Sequence, residues 1–239
     1  MGEYRWRLRN RTANRRALML SLIATLGLGA ACIPAPVVTD PQVRVAISRC
    51  WNSTGRVWLT FDDSGPTANV NALIDVLVRN NVRARFFPLG AWAQANPWLI
   101  ARMALSGQEL GNHSYDHVDF NTISDAQVGW EIDHGTDHSP DGVKLMRPPY
   151  GNGAFTQRIS NLAAARDYRV CFWTVDTRDW SGISASAIVD AVRYGAAYTP
   201  PVYAGGVVLM HMEAPHTAQA LQGVIDAVRA RGLQLPPIH

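Results

Sequence analysis

Val57-Trp58-Leu59-Thr60-Phe61-Asp62-Asp63 decides the fold. Val57, Leu59 and Phe61 share one face of an extended run, which ends in two adjacent carboxylates before Ser64-Gly65-Pro66 breaks it. Two acids at the end of a buried strand repel each other and resist desolvation, so they need a cation nearby. The chain offers partners further on. His113-Ser114-Tyr115-Asp116-His117 carries two imidazoles, and Arg147-Pro148-Pro149-Tyr150-Gly151 carries a guanidinium. A late apolar run, Val207 to Met210, stops at His211. Each of these groups sits beside a strand end or a turn signal, which is the layout of a metal-dependent hydrolase site.

Working outward, strand and helix signals alternate. Strands are expected over Val57–Phe61, Arg83–Pro88, Glu109–Gly111, Lys144–Met146 and Gly206–Met210, with a longer run from Tyr168 to Val175 that ends at Asp176. Helices are expected over Ala68–Asn80, Pro97–Leu105, Asp125–Ile132 behind a Ser124 cap, Gln157–Arg166, Ile188–Tyr194 and Ala218–Arg231. This alternation implies an α/β fold with a parallel sheet or barrel, whose functional groups gather at the C-terminal strand ends. There is no internal repeat and no second linker, so a single domain follows.

The formal charge of +3 over 239 residues misleads. Six of the 22 basic residues precede residue 17, opposed by Glu3 alone, so the remainder carries 16 basic against 18 acidic side chains. That remainder excludes an electrostatic case for nucleic-acid binding. Residues 1–31 read as a signal peptide or membrane anchor, with a basic start and the apolar segment Ala17 to Ala31. Leu28-Gly29-Ala30-Ala31-Cys32 approaches a lipoprotein processing site, although Gly29 stands where a branched residue is usual. Residues 32–48, with Pro34, Pro36 and Pro41, read as an extended linker. The chain is expected to be exported, to the cell envelope or outside the cell, either released or held at the membrane by its N-terminus or by a lipid at Cys32. Cys50 and Cys171 then either form a disulfide or stay as two buried free thiols.

Two imidazoles four residues apart, with one carboxylate, suit a divalent metal that keeps positions open for water and substrate. His-x-x-x-His alone is weak. His134-Gly135-Thr136-Asp137-His138 has the same spacing but lies among loop residues, and a solvated loop accounts for it.

Thr60-Phe61-Asp62-Asp63, His113-Ser-x-x-His117, Arg147-x-Pro149-Tyr150-Gly151, Asp176-x-x-Asp179-Trp180 and Leu209-x-His211 occur in this order. Together they resemble the five signatures of the polysaccharide deacetylases, carbohydrate esterase family four, over roughly residues 55 to 235. The resemblance implies a distorted (β/α) barrel of about seven parallel strands and a catalytic domain over 49–239. It implies a metal site at Asp63, His113 and His117, holding zinc or another divalent ion such as cobalt or nickel. Asp62 would be the general base, held by Arg147, and His211 the general acid, paired with Asp179 or, as runner-up, Asp176. The Tyr150 backbone N–H would meet the oxyanion, and Trp180 and Leu209 would wall the acetyl methyl. The implied substrate is an N-acetylated polysaccharide (peptidoglycan, a chitin-like polymer or a surface glycan), handled by a monomer. An O-acetyl xylan esterase and a non-catalytic glycan-binding domain are the alternatives. The chain departs from the family in the extra Ser64 after the acid pair and in Met212-Glu213 after the last histidine, which bears on substrate preference.

Overall fold

The computed structural model describes residues 39–138, 142–151 and 156–239. The expected leader and Cys32 lie outside them. The chain opens with helix α1 (Pro41–Ser48), followed by β1 (Trp58–Asp63), α2 (Thr67–Arg79) and β2 (Arg85–Pro88). Next come α3 (Gly90–Ala95), α4 (Pro97–Leu105), β3 (Glu109–Leu110) and α5 (Asp125–Asp133). Then follow β4 (Leu145–Met146), α6 (Gln157–Ala164), β5 (Arg169–Val170) and β6 (Val175–Asp176). A 3-10 turn (Asp179–Ser181), α7 (Ala185–Tyr194), β7 (Val207–His211) and α8 (Thr217–Ala230) complete the fold.

All strand pairs are parallel. Five strands form one sheet in the order β3-β2-β1-β7-β6, and β4 and β5 form a second. A parallel bridge, Asn112 to Met146, joins the two sheets past the end of β3. The result is a distorted, interrupted α/β barrel of seven short strands.

Period two along β1 explains its burial on both faces. Leu59 and Phe61 face the helices and pack in the main core with Val208 and Met210 of β7, Leu73 and Leu77 of α2, and Leu221, Val224 and Val228 of α8. Trp58, Thr60 and Asp62 face the other way and are buried as well. There Arg85 sits over the Trp58 ring at 3.7 Å and pairs with Glu109 at 2.6 Å. This accounts for an arginine in the middle of the apolar strand β2.

Two expectations need correction, and one open alternative is resolved. Residues 41–48, read as extended linker, are helical, and Ile47 is buried against Phe120, Met146 and Val170. Pro41 opens that helix, where its missing N–H costs nothing. The run from Tyr168 to Val175 divides into β5 and β6, which belong to different sheets. Of the two thiol readings, the disulfide is the one present, joining Cys50 to Cys171.

Candidate metal and catalytic site

Pairing register carries the first groups to the cavity. Asp62 lies opposite His211 across the β1–β7 pair, and Asp63 follows at the strand end with φ of 70°. A left-handed residue other than glycine is costly and persists where surrounding contacts determine it. Ser114, His117, Tyr150 and Arg178 share that conformation, so the loops after β1, β3, β4 and β6 each bend through such a residue.

Asp63, His113 and His117 present one ligand atom each within 4.8 Å of one another. Asp63 Oδ1 stands 3.0 Å from His113 Nε2 and 3.1 Å from His117 Nε2. It is buried yet makes no hydrogen bond of good geometry. Burial alone would push the Asp63 carboxyl up, but its contacts with His113 and then His117 hold it well below the usual carboxylate range. His113 Nδ1 donates to the Arg147 carbonyl at 2.6 Å, which fixes the ring with Nε2 toward Asp63. An orphaned carboxylate oxygen between two imidazole nitrogens fits a divalent cation. His134 and His138 join no such cluster among the described residues. His134 stacks on Trp130 at 4.1 Å, and His138 bridges to Leu110.

Beside the cluster, Arg147 is fully buried and donates Nη1–H to Asp62 Oδ1 at 2.6 Å and to Thr60 Oγ1 at 2.9 Å. The other carboxylate oxygen, Asp62 Oδ2, lies 3.9 Å from His113 Nε2. On the far side, His211 Nδ1 meets Asp179 Oδ1 at 2.8 Å. The second Asp179 oxygen accepts from the His211 backbone N–H at 2.8 Å and from Thr217 Oγ1 at 2.5 Å. Burial works to lower His211, but its Asp179 hydrogen bond and the surrounding negative charge push it up to about 9. Asp176 does not touch His211; its carboxylate accepts the Arg178 N–H at 2.8 Å.

Asp62, Asp63, His113, His117 and His211 line one cavity of about 450 Å³, walled by Tyr150, Trp173, Trp180 and Leu209. Gly151 has φ of 69°, and a Cβ there would meet the Trp173 ring at 2.4 Å, so the turn after Arg147 rests directly on that wall. The two departures from the family pattern are neighbours. A Cβ on Gly65, in the loop lengthened by Ser64, would come 2.7 Å from the Met212 carbonyl oxygen.

Several supporting residues escape sequence reading. Glu131 is buried and its Oε2 accepts the N–H of Tyr115 at 2.9 Å and of Asp116 at 3.2 Å, between the two histidines. Asn112 accepts from Ser114 N–H at 2.9 Å, and Ser114 Oγ accepts from His117 N–H at 3.0 Å. A signal for Glu131 did exist: it stands three residues after Val128 and next to Ile132, an acid on the apolar face of α5.

A parallel α/β barrel with an Asp-His-His cluster at its strand ends defines a class of metal-site proteins in which hydrolysis is the common chemistry. The sequence pattern of the polysaccharide deacetylases matches residues 52–171, and the chain belongs to that family. It is 31% identical to the chitooligosaccharide deacetylase of Bradyrhizobium sp. (strain ANU 289), over 78% of this chain and 90% of the relative. It is 32% identical to the peptidoglycan-N-acetylglucosamine deacetylase PgdA of Listeria monocytogenes, over 77% of this chain but 38% of that protein. Among solved structures, the family 4 carbohydrate esterase from Streptomyces lividans in complex with acetate superposes with a TM-score of 0.66 at 31% identity, over 78% of this chain and 94% of that one. A mutant of the pseudoenzyme BA3943 of Bacillus anthracis, with restored enzymatic activity, superposes with a TM-score of 0.67 at 26% identity, over 76% of this chain and 65% of that one.

Proposed function

We propose that this protein removes acetyl groups from N-acetylated sugars of a polysaccharide in the cell envelope or outside the cell. One observation carries the reading: an acid held by arginine and a histidine held by an acid share a single cavity with the Asp-His-His cluster.

Asp63, His113 and His117 would hold the cation, with zinc first among the candidates. When bound, such an ion polarises a carbonyl and sharpens water as a nucleophile. The remaining work falls to the chain itself. Arg147 occupies Asp62 Oδ1, so Oδ2 is the oxygen left to take the proton from the attacking water. The acetamide carbonyl becomes tetrahedral, and the Tyr150 backbone N–H receives its developing negative charge. Asp179 accepts the hydrogen bond of His211 Nδ1–H, so Nε2–H is the donor to the departing amine. An amine leaves poorly without that proton, and a histidine raised to about 9 carries it throughout the neutral range. Trp180 and Leu209 enclose the methyl group. A second groove shares Trp173, Asp176 and Trp180 with the cavity and runs on past Arg178 and the fully exposed Tyr198, which suits a polymer rather than a free sugar. Names of relatives point to peptidoglycan and chitooligosaccharides as substrate classes. Export of the chain, with a tether in residues 1–31 or a lipid at Cys32, would put it beside such a glycan.

The test is acetate release by the zinc-loaded protein from N-acetylglucosamine oligomers and from acetylated xylan in parallel, beside Asp62→Asn. Release from the oligomers is expected, lost by about a thousandfold in the variant. Release from xylan alone would make it an O-acetyl esterase. No release from either, with metal bound, would make it a glycan-binding domain.

A further inference from the structure

Cys50 lies two residues before the stretch that matches the family, and Cys171 is that stretch's last residue. Their disulfide spans 121 residues and is buried against Arg147. Arg147 Nη2 lies 3.5 Å from Cys171 Sγ and donates to the Phe172 carbonyl at 3.2 Å. Arg147 Nε reaches the Cys171 carbonyl at 3.4 Å. The guanidinium is therefore gripped from two sides. Thr60 and Asp62 grip it from β1, which is paired along both edges. Residues 171–172 grip it from the gap between β5 and β6.

That gap is held unlike the rest of the barrel. Toward β4, the Cys171 N–H donates to Met146 at 2.7 Å. On the other side stands the arm of residues 47–51. The Phe172 N–H donates to the Ile47 carbonyl at 2.8 Å, Trp51 Nε1–H donates to the Val170 carbonyl at 2.8 Å, and the disulfide lies between them. The arm turns through two successive left-handed residues, Cys50 at φ 50° and Trp51 at φ 55°. Such a turn persists only where its surroundings fix it.

We infer that the Cys50–Cys171 disulfide positions Arg147: it clamps the arm onto residues 170–172, and the carbonyls so fixed aim the guanidinium at Asp62. Both cysteines are positioning residues, since neither touches the reacting atoms. The inference rests on the deacetylase reading. It makes activity depend on the oxidised pair, which suits a compartment where disulfides persist. Reduction by a dithiol reagent moves two electrons and two protons onto the two sulfurs, and the reagent closes to its own disulfide. The two thiols are then free to separate, and the cradle around Arg147 loosens.

The experiment compares the full chain, zinc-loaded, with its Cys50→Ser/Cys171→Ser variant on N-acetylglucosamine oligomers, at a temperature where circular dichroism shows both folded. A kcat about tenfold lower is expected from a small misplacement of the Arg147–Asp62 pair, with KM within about twofold. The same two substitutions made on an Arg147→Lys background should change kcat by less than about twofold, because the fork they aim is gone. A wild-type kcat in the serine variant overturns the inference. An undiminished tenfold loss on the Arg147→Lys background also overturns it, by marking the disulfide as a general staple. Should the serine variant fail to fold, dithiothreitol reduction of the folded protein gives the same comparison. There, two free thiols by titration with unchanged kcat is the overturning result, and a loss reversed on reoxidation the supporting one. Absence of acetate release from the oxidised wild type would instead defeat the deacetylase reading itself.

Discussion

The β1–β7 side of the barrel and the β4–β5 side both supply charged groups to one site, but they hold them by different means. β1 is matched to β7 over five positions and to β2 over four, with apolar helices behind. Asp62 and His211 are opposite each other because the ladder sets them there. β4 and β5 are matched over two positions. Arg147 follows β4 by one residue, and its place is set by side-chain hydrogen bonds, a disulfide and an arm from outside the strand–helix repeat. Where a backbone ladder does the positioning, damage should appear first in stability. Where tertiary ties do it, damage should appear first in rate.

The largest effect that can break this contrast is at the junction of the two sides. Arg147→Ala leaves Asp62 buried without its cation, and unpaired buried charge is costly. A loss of about a thousandfold in kcat for acetate release is expected. A loss below about tenfold would mean that the ladder alone orients Asp62. Next comes Leu59→Ala, in the middle of the ladder and buried completely. Urea denaturation should show about 3 kcal/mol less stability, while kcat per folded molecule stays within about threefold. A large kcat defect at full folding would show that the ladder is no stiffer than the opposite side.

The same contrast explains what could be read in advance. β1 and β7 are legible because their runs are apolar, β-branched and stopped by charged residues. α4 begins at Pro97 and ends at Leu105 as its proline and apolar spacing imply, and Ser124 caps α5 through a reciprocal bond with Gln127. The other side hides its logic in contacts between distant residues. Spacing says nothing about whether Cys50 and Cys171 meet across 121 positions. The residues from Cys171 to Thr174 have the β-propensity of a strand, but their outer neighbour is the arm, so the expected continuous run divides. Proline-rich composition conceals α1 because it does not distinguish an extended segment from a helix that starts on Pro41. The resemblance names Asp179 first and Asp176 as runner-up for His211, and spacing alone does not show why. The left-handed Arg178 between them turns Asp179 into the interior, where it is 1% exposed.

A pH profile sharpens the picture on the ladder side. His211 is raised to about 9, so its acid form is present below that pH and is lost as pH rises through it. Wild-type kcat should therefore hold across the neutral range and fall on an alkaline limb near 9. Asp179→Asn removes the main cause of the rise, so the limb should move down toward 6.5, the ordinary value for histidine. At pH 8 that costs about thirtyfold, and at pH 6 far less. A limb that stays near 9 in the variant would assign it to another group.

The smallest expected effect tests how the histidine loop is held. Glu131 reaches from α5 to two backbone N–H groups between His113 and His117, and the loop bends through left-handed residues at Ser114 and His117. A carboxylate accepting two N–H bonds is stronger than a neutral acceptor, and residues that orient metal ligands commonly affect affinity by about tenfold or more. Glu131→Gln keeps one acceptor oxygen and removes the charge. Zinc affinity, measured by competition with a chromophoric chelator, should weaken by about tenfold, and KM on the zinc-saturated variant should be unchanged. The measurement separates two supports that the structure superimposes. If affinity does not move, the Asn112 and Ser114 hydrogen bonds suffice to hold the loop, and the histidines are fixed from β3 rather than from α5. If it falls as expected, the metal ligands depend on a helix that packs in a different apolar cluster from the β1–β7 ladder.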